Sequence, residues 1–276
     1  MKKRSRILLL AIIAPSTAVL FFLFTLTGEA QYAKYDGIAR AAIIDQLHDD
    51  LPNLYFQRIA KQNLEEAGYQ VDLYTTKNVT VNFYKNLPSM GYKIILMRTH
   101  ASVTSDNSQK PDSADLFTGE RYQPDKYTFE QILGLVRNSA YLYTDYRVNV
   151  QNESVTLEEV SSESGTYFSV GSKFVDGQMI GKFPGSIVII GGCTALSNPI
   201  LAESLVKRGA SVVIGWDNLV RADHNDMVML AVLKGLVVDK SDVEDVVQST
   251  MERFGPDPDY SGVLEYYPST AGRTRV

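Results

Sequence analysis

Cysteine is nearly absent from this chain: among 276 residues there is one, Cys193. A single thiol excludes any internal disulfide, so the fold rests on its core alone. Histidine is scarce too, with three residues, His48, His100 and His224, which leaves little material for a histidine-built metal centre. Basic charge is in deficit. The 27 Lys and Arg stand against 32 Asp and Glu, a net charge of -5, and this offers no basic face for a nucleic acid. No internal repeat and no low-complexity tract is present. Neither a nucleic-acid partner, nor a metal, nor a cofactor is expected, and the oligomeric state is left open.

What is present begins with an address. Residues 1–6 hold four basic side chains, and residues 7–28 then run 22 residues without a charge, enough to span a bilayer as a helix. The expected arrangement is one N-terminal transmembrane helix, a signal anchor within 1–30, that makes a single pass through the cell membrane. Basic residues ahead of the span put the amino terminus inside and the following domain in the extracytoplasmic space. The alternative is a cleaved signal peptide and secretion. Against it, Gly28-Glu29-Ala30 is a poor cleavage site, and the apolar run exceeds the usual core of about 7–15 residues. Outside the cell, Asn78-Val79-Thr80 and Asn152-Glu153-Ser154 would be glycosylation sequons, although such tripeptides also arise by chance.

The rest of the chain is enough for one large α/β domain, expected over 31–254, with a C-terminal tail over 255–276. Ala41-Ala42-Ile43-Ile44-Asp45 reads as an opening strand, residues 54–67 as a helix stopped by Gly68, and 69–74 as a second strand. Alternation over 79–84 predicts a further strand. Residues 101–126 read as a long polar loop with a short strand near 115–118, residues 127–138 as a helix, and 148–160 as a polar excursion before Tyr167-Phe168-Ser169-Val170. Residues 186–216 carry a βαβ pattern, and 223–238 and 242–254 have the spacing of amphipathic helices. Alternating strands and helices predict a mostly parallel sheet flanked by helices on both faces, a three-layer sandwich.

Two apolar strands end in reactive residues. Tyr92-Lys93-Ile94-Ile95-Leu96-Met97-Arg98-Thr99 leads to His100, and Ile187-Val188-Ile189-Ile190-Gly191-Gly192 leads to Cys193. Ligands of α/β sheets gather beyond the carboxyl ends of the strands, where a thiol and an imidazole can form a nucleophile and base pair. An unpaired thiol suits a reactive role; the plainer reading is a buried, inert cysteine. Gly191 and Gly192 let a substrate backbone come close, and the helix expected after Cys193 would favour a thiolate. Trp216, the only tryptophan, with Asp217 beside it, lines a substrate pocket or belongs to the core. His48 sits in a polar run. His224 lies in Asp223-His224-Asn225-Asp226, and no spacing of Asp217, His224 and Asp226 matches a metal motif.

These motifs resemble the caspase-like cysteine peptidases, the clan of caspases, gingipains, clostripain and separase, and Cys193 to Trp216 is most similar to its CHAT branch. The resemblance spans roughly 41–236. It implies a cysteine-type peptidase acting on a peptide or protein substrate, with Cys193 as nucleophile and His100 as general acid/base. It implies an oxyanion hole made by the main-chain N–H groups of Cys193 and Ala101. Two positions depart from the pattern: Ala101 stands where the clan usually has Gly, and Gly191 stands where members that cut after basic residues carry Asp. The alternatives are a catalytically silent binding or scaffold module of the same fold and a thiol-redox role, for which the CxxC partner is missing.

Overall fold

The structure, a computed structural model, describes residues 37–103, 113–141, 144–151, 154–161 and 165–276, those between 141 and 161 as backbone only. Four short apolar runs, within 40–45, 94–98, 187–191 and 212–216, become strands because each holds β-branched residues and is bounded by polar or glycine stops. In chain order the first elements are β1 (Arg40–Asp45), α1 (Leu54–Glu66), β2 (Gln70–Thr75), α2 (Val81–Asn86) and β3 (Ile94–Arg98). Asn53 caps α1, its Oδ1 accepting from the Phe56 N–H at 2.9 Å, and Gly68 at φ 89° turns the chain away after it.

The middle of the chain holds β4 (Ala101–Val103), β5 (Ala114–Arg121), α3 (Thr128–Ile132), β6 (Val136–Tyr141), β7 (Thr144–Gln151), β8 (Ser154–Ser161), β9 (Gly165–Val170) and α4 (Ser172–Gly177). The last part holds β10 (Ile187–Gly191), α5 (Ile200–Lys207), β11 (Val212–Trp216), α6 (Ala222–Val237), α7 (Val243–Phe254) and β12 (Leu264–Tyr267). Six strands form the main sheet in the order β12-β11-β10-β3-β1-β2. All neighbours are parallel except β12, which runs antiparallel to β11.

Strand alternation sends successive side chains to opposite faces. Ala41, Ile43, Ile94, Leu96, Ile187, Ile189, Val212 and Ile214 pack with Phe56, Ala60 and Leu64 of α1 and with the apolar stripes of α6 and α7. On the other face Ala42, Ile44, Ile95, Met97, Val188, Ile190 and Val213 meet α2, α4 and α5. That second face also receives Ala114, Leu116, Val136, Phe168 and Val170, which belong to an antiparallel sheet ordered β4-β5-β9-β6. The strands β7 and β8 pair with each other as a two-stranded antiparallel sheet.

The expected fold class is therefore corrected. The sheet is mixed and shares one of its faces with a second, antiparallel sheet, so a single parallel sheet between two helical layers does not describe it. The cause is the stretch 101–170, whose short polar strands pair with one another and carry too little apolar periodicity to announce themselves. As to the membrane-spanning helix, no helix among the described residues is long and apolar enough to cross a membrane. Residues 7–28 lie outside the described residues.

Local expectations shift for equally local reasons. The strand predicted over 79–84 is the helix α2, because Thr80 Oγ1 accepts from the Phe83 N–H at 3.0 Å and starts a helical turn. The helix predicted over 127–138 stops at Ile132; Gly134 takes φ 63°, and the chain from Val136 pairs with β9. Part of the stretch after Gly255 joins the main sheet as β12.

Candidate active site

The register of two neighbouring strands brings the reactive residues together. β3 and β10 are parallel neighbours with Arg98 opposite Gly191, and the pairing runs on as the Thr99 N–H donates to the Gly191 carbonyl at 3.0 Å. Two residues further along each strand stand His100 and Cys193. Strand alternation keeps Arg98 and His100 on the face of Ile94 and Leu96, and Gly191 and Cys193 on the face of Ile187 and Ile189. His100 and Cys193 line one small cleft of about 20 Å³, together with Leu47, Thr99, Gly191, Gly192, Val220, Ala222 and Asn225.

His100 is almost fully buried, with 4% of its surface exposed. Its main chain is held from two sides: the N–H donates to Gln46 Oε1 at 2.9 Å and the carbonyl accepts from Phe117 N–H at 3.0 Å. The ring meets Phe117 edge-on, centroids 5.8 Å apart. Burial, and then the nearby Arg98 guanidinium, lower the imidazole pKa to about 3, because both disfavour a second positive charge. The ring is therefore neutral at physiological pH, the form that accepts a proton.

Cys193 is partly exposed. Its Sγ lies 3.5 Å from the Val220 carbonyl, to which the thiol donates. The chain turns sharply after it: Thr194 sits in the left-handed region at φ 57°, an unusual place for a β-branched residue. Two hydrogen bonds hold that turn, from the Thr194 N–H to Asn218 O at 2.9 Å and from Thr194 Oγ1 to Cys193 O at 2.7 Å. The helix after Cys193 was expected to support a thiolate, but α5 begins only at Ile200. The helix start that lies beside the thiol is that of the 16-residue α6, through Val220 and Ala222, and its positive dipole end favours an anion there.

Beneath the cleft lies a buried charge network. Arg98 donates from Nη1 to Asp45 Oδ1 at 3.0 Å and from Nε to Asp226 Oδ1 at 2.7 Å. Asn53 Nδ2 donates to Asp226 Oδ2 at 2.8 Å and Gln57 Nε2 to Asp45 Oδ2 at 2.6 Å. Burial raises the pKa of Asp226 while Arg98 and Asn53 draw it down. The network ties β1, β3, α1 and α6 at the level of His100 and Cys193.

The other predicted residues fall in varied places. Gly191 and Gly192 both line the cleft, and both have packing reasons to be glycine. A Cβ on Gly191 would come within 2.9 Å of the Asn225 carboxamide and Met229 Cγ, and one on Gly192 within 2.6 Å of the Thr99 carbonyl. Trp216 is fully buried in the core, its Nε1–H donating to Asn225 Oδ1 at 2.9 Å. Asp217 Oδ1 accepts from the Val263 N–H at 2.6 Å and anchors the chain leading into β12. Ala101 opens β4 opposite Leu116. Because His100 O accepts from Phe117 N–H, the Ala101–Leu116 pair is of the non-hydrogen-bonded kind, and the Ala101 N–H points away from β5.

His48 is half-buried beside α1, with Nδ1 2.7 Å from Gln57 Nε2. His224 is buried against the Trp216 ring, centroids 5.6 Å apart. Among the described residues no three His, Cys, Asp or Glu side chains gather to hold a metal ion. The site residues that sequence reasoning missed are Asp45, Arg98, Asn225 and Asp226. A signal for two of them was available: Asp45 and Arg98 are charged residues that close buried apolar runs.

Comparison with protein-family models finds no match, and comparison with curated proteins finds none.

Proposed function

We propose that the protein is a cysteine-type peptidase, of the caspase-like kind its motifs resemble, with Cys193 as nucleophile and His100 as proton carrier. The observation that carries this reading is the β3–β10 register, which sets a partly exposed thiol and a neutral imidazole on the same cleft. In the reaction Cys193 Sγ attacks the peptide carbonyl carbon as its proton passes to the unprotonated ring nitrogen of His100. The imidazolium returns that proton to the amine nitrogen as the C–N bond breaks, leaving a thioester. Water, deprotonated by His100, then attacks the thioester, and the carboxylic acid leaves as the thiol is restored.

A pKa near 3 makes His100 a strong acid toward the leaving amine but a weak base toward the Cys193 thiol, so the first proton transfer is the harder one. The oxyanion formed in each half is assigned to the N–H groups of Cys193 and Ala101, the latter directed away from β5. The depth of His100 favours a second reading, a catalytically silent binding module. The test is turnover of a peptide library by the wild type and by Cys193→Ala. Cleavage lost in the variant supports the peptidase; cleavage that survives in the variant, or none by the wild type, ends it.

A further inference from the structure

The cleft beside Cys193 also restricts what reaches the thiol. We infer that the acyl-side residue of the substrate, the one contributing the carbonyl attacked by Cys193, is small and uncharged: glycine, alanine or serine. The inference rests on the peptidase reading of Cys193 and His100. The side chain of that residue branches one bond from the attacked carbon, so the space next to Sγ is where it must go.

Three features of the space argue for size and charge together. The part of it within its walls, below the open mouth, is about 20 Å³, room for about one water or methyl group. Its walls do not yield readily, since Leu47 packs with Leu51 and Ala222 in one buried cluster and Val220 is itself buried. Its polar groups are already engaged: Asn225 Oδ1 accepts from Trp216 at 2.9 Å and Nδ2 donates to Asp226 Oδ1 at 3.3 Å.

No lining residue other than the neutral His100 and the thiol is titratable. None of the charged groups on the neighbouring elements, Arg98, Asp45, Asp226, Arg221 or Asp223, is among the lining residues, and they are bonded to one another, Arg98 to Asp45 and Asp226 at 3.0 and 2.7 Å and Arg221 to Asp223 at 2.8 Å. A Lys, Arg, Asp or Glu side chain would lose its water in the cleft and gain no counter-charge. A larger apolar chain would have to displace Leu47.

The experiment uses the full chain and two probe sets that differ only at the acyl-side residue: fluorogenic peptide amides read by turnover, and peptidyl vinyl sulfones read by mass as adducts on Cys193. Gly, Ala and Ser are expected to exceed Leu, Phe, Lys, Arg and Asp by at least about tenfold in kcat/KM and in labelling rate. Leu47→Ala is expected to move the preference toward Leu and Met, and Val220→Ala, a smaller excision, moves it the same way if Leu47→Ala does not fold. A wild type that prefers a charged or aromatic residue overturns the inference while leaving the peptidase reading intact. An unchanged ranking in a folded, wall-truncated variant also overturns it. If no amide is turned over but the sulfones label in the expected order, the cleft's selectivity stands and hydrolysis falls. Labelling without any ranking removes the inference, whatever turnover shows.

Discussion

At the scale of single residues the proposed dyad is an asymmetric pair, a deeply buried imidazole and a partly exposed thiol on one cleft. Cys193→Ala and His100→Ala should each remove peptide turnover, and the double variant should be little worse than either, because groups acting as a unit are not additive. A second prediction follows from His100 itself. Its pKa is about 3 in the folded protein, against about 6.5 in an unfolded chain. Between those values the unfolded state binds a proton that the folded state does not. This contribution to stability is complete above pH 6.5 and is lost as pH falls toward 3, by up to about 1.4 kcal/mol per pH unit. His100→Gln removes the titration, so its stability should fall less steeply with acid. Urea midpoints of both proteins across that range check this, and parallel curves would contradict it.

At the scale of elements, two contacts decide whether the strand ends meet in working order. Gly192 lies against the Thr99 backbone, and a Cβ there would stand 2.6 Å from a carbonyl oxygen. Gly192→Ala should therefore pry β10 from β3, costing about 1–3 kcal/mol and most of the turnover. Gly191→Ala meets side chains, Asn225 and Met229, which can adjust, so it should cost less. Equal thermal shifts for the two would count against this account. The second contact is Arg98, whose replacement by Met strands Asp45 and Asp226 without their shared cation. Breaking a buried pair in this way costs about 3–5 kcal/mol, to be read as a lowered denaturant midpoint.

At the scale of the molecule, both apolar clusters hang on the same six strands, one on each face. Neither face can lose its packing without exposing the backs of residues that hold the other. Unfolding should consequently be a single transition. The fluorescence of Trp216, the only tryptophan and fully buried, should change over the same denaturant range as the far-ultraviolet circular dichroism of the helices. Separated transitions would show that the antiparallel sheet or α7 melts as a unit of its own.

Much of this was legible in the chain. The strands β1, β3, β10 and β11 and the helices α1, α6 and α7 follow from local periodicity and stop residues, and His100 and Cys193 stood out as reactive groups closing apolar runs. Local pattern could not show the pairing of β5, β6 and β9 or the return of β12 to the sheet edge, because strand partners are chosen across long stretches of sequence. It pointed to the wrong helix for the thiol: α5 is next in the chain, whereas α6 is next in space. It left Trp216 open between pocket and core, and packing places it in the core against Asn225. By itself the sequence determined where a thiol and an imidazole close apolar runs and which way each strand faces, since these depend on side-chain type and on the two-residue period of a strand. Only the tertiary structure decided that β3 and β10 lie side by side in register, because that contact joins segments about ninety residues apart and is set by the packing of everything between and around them.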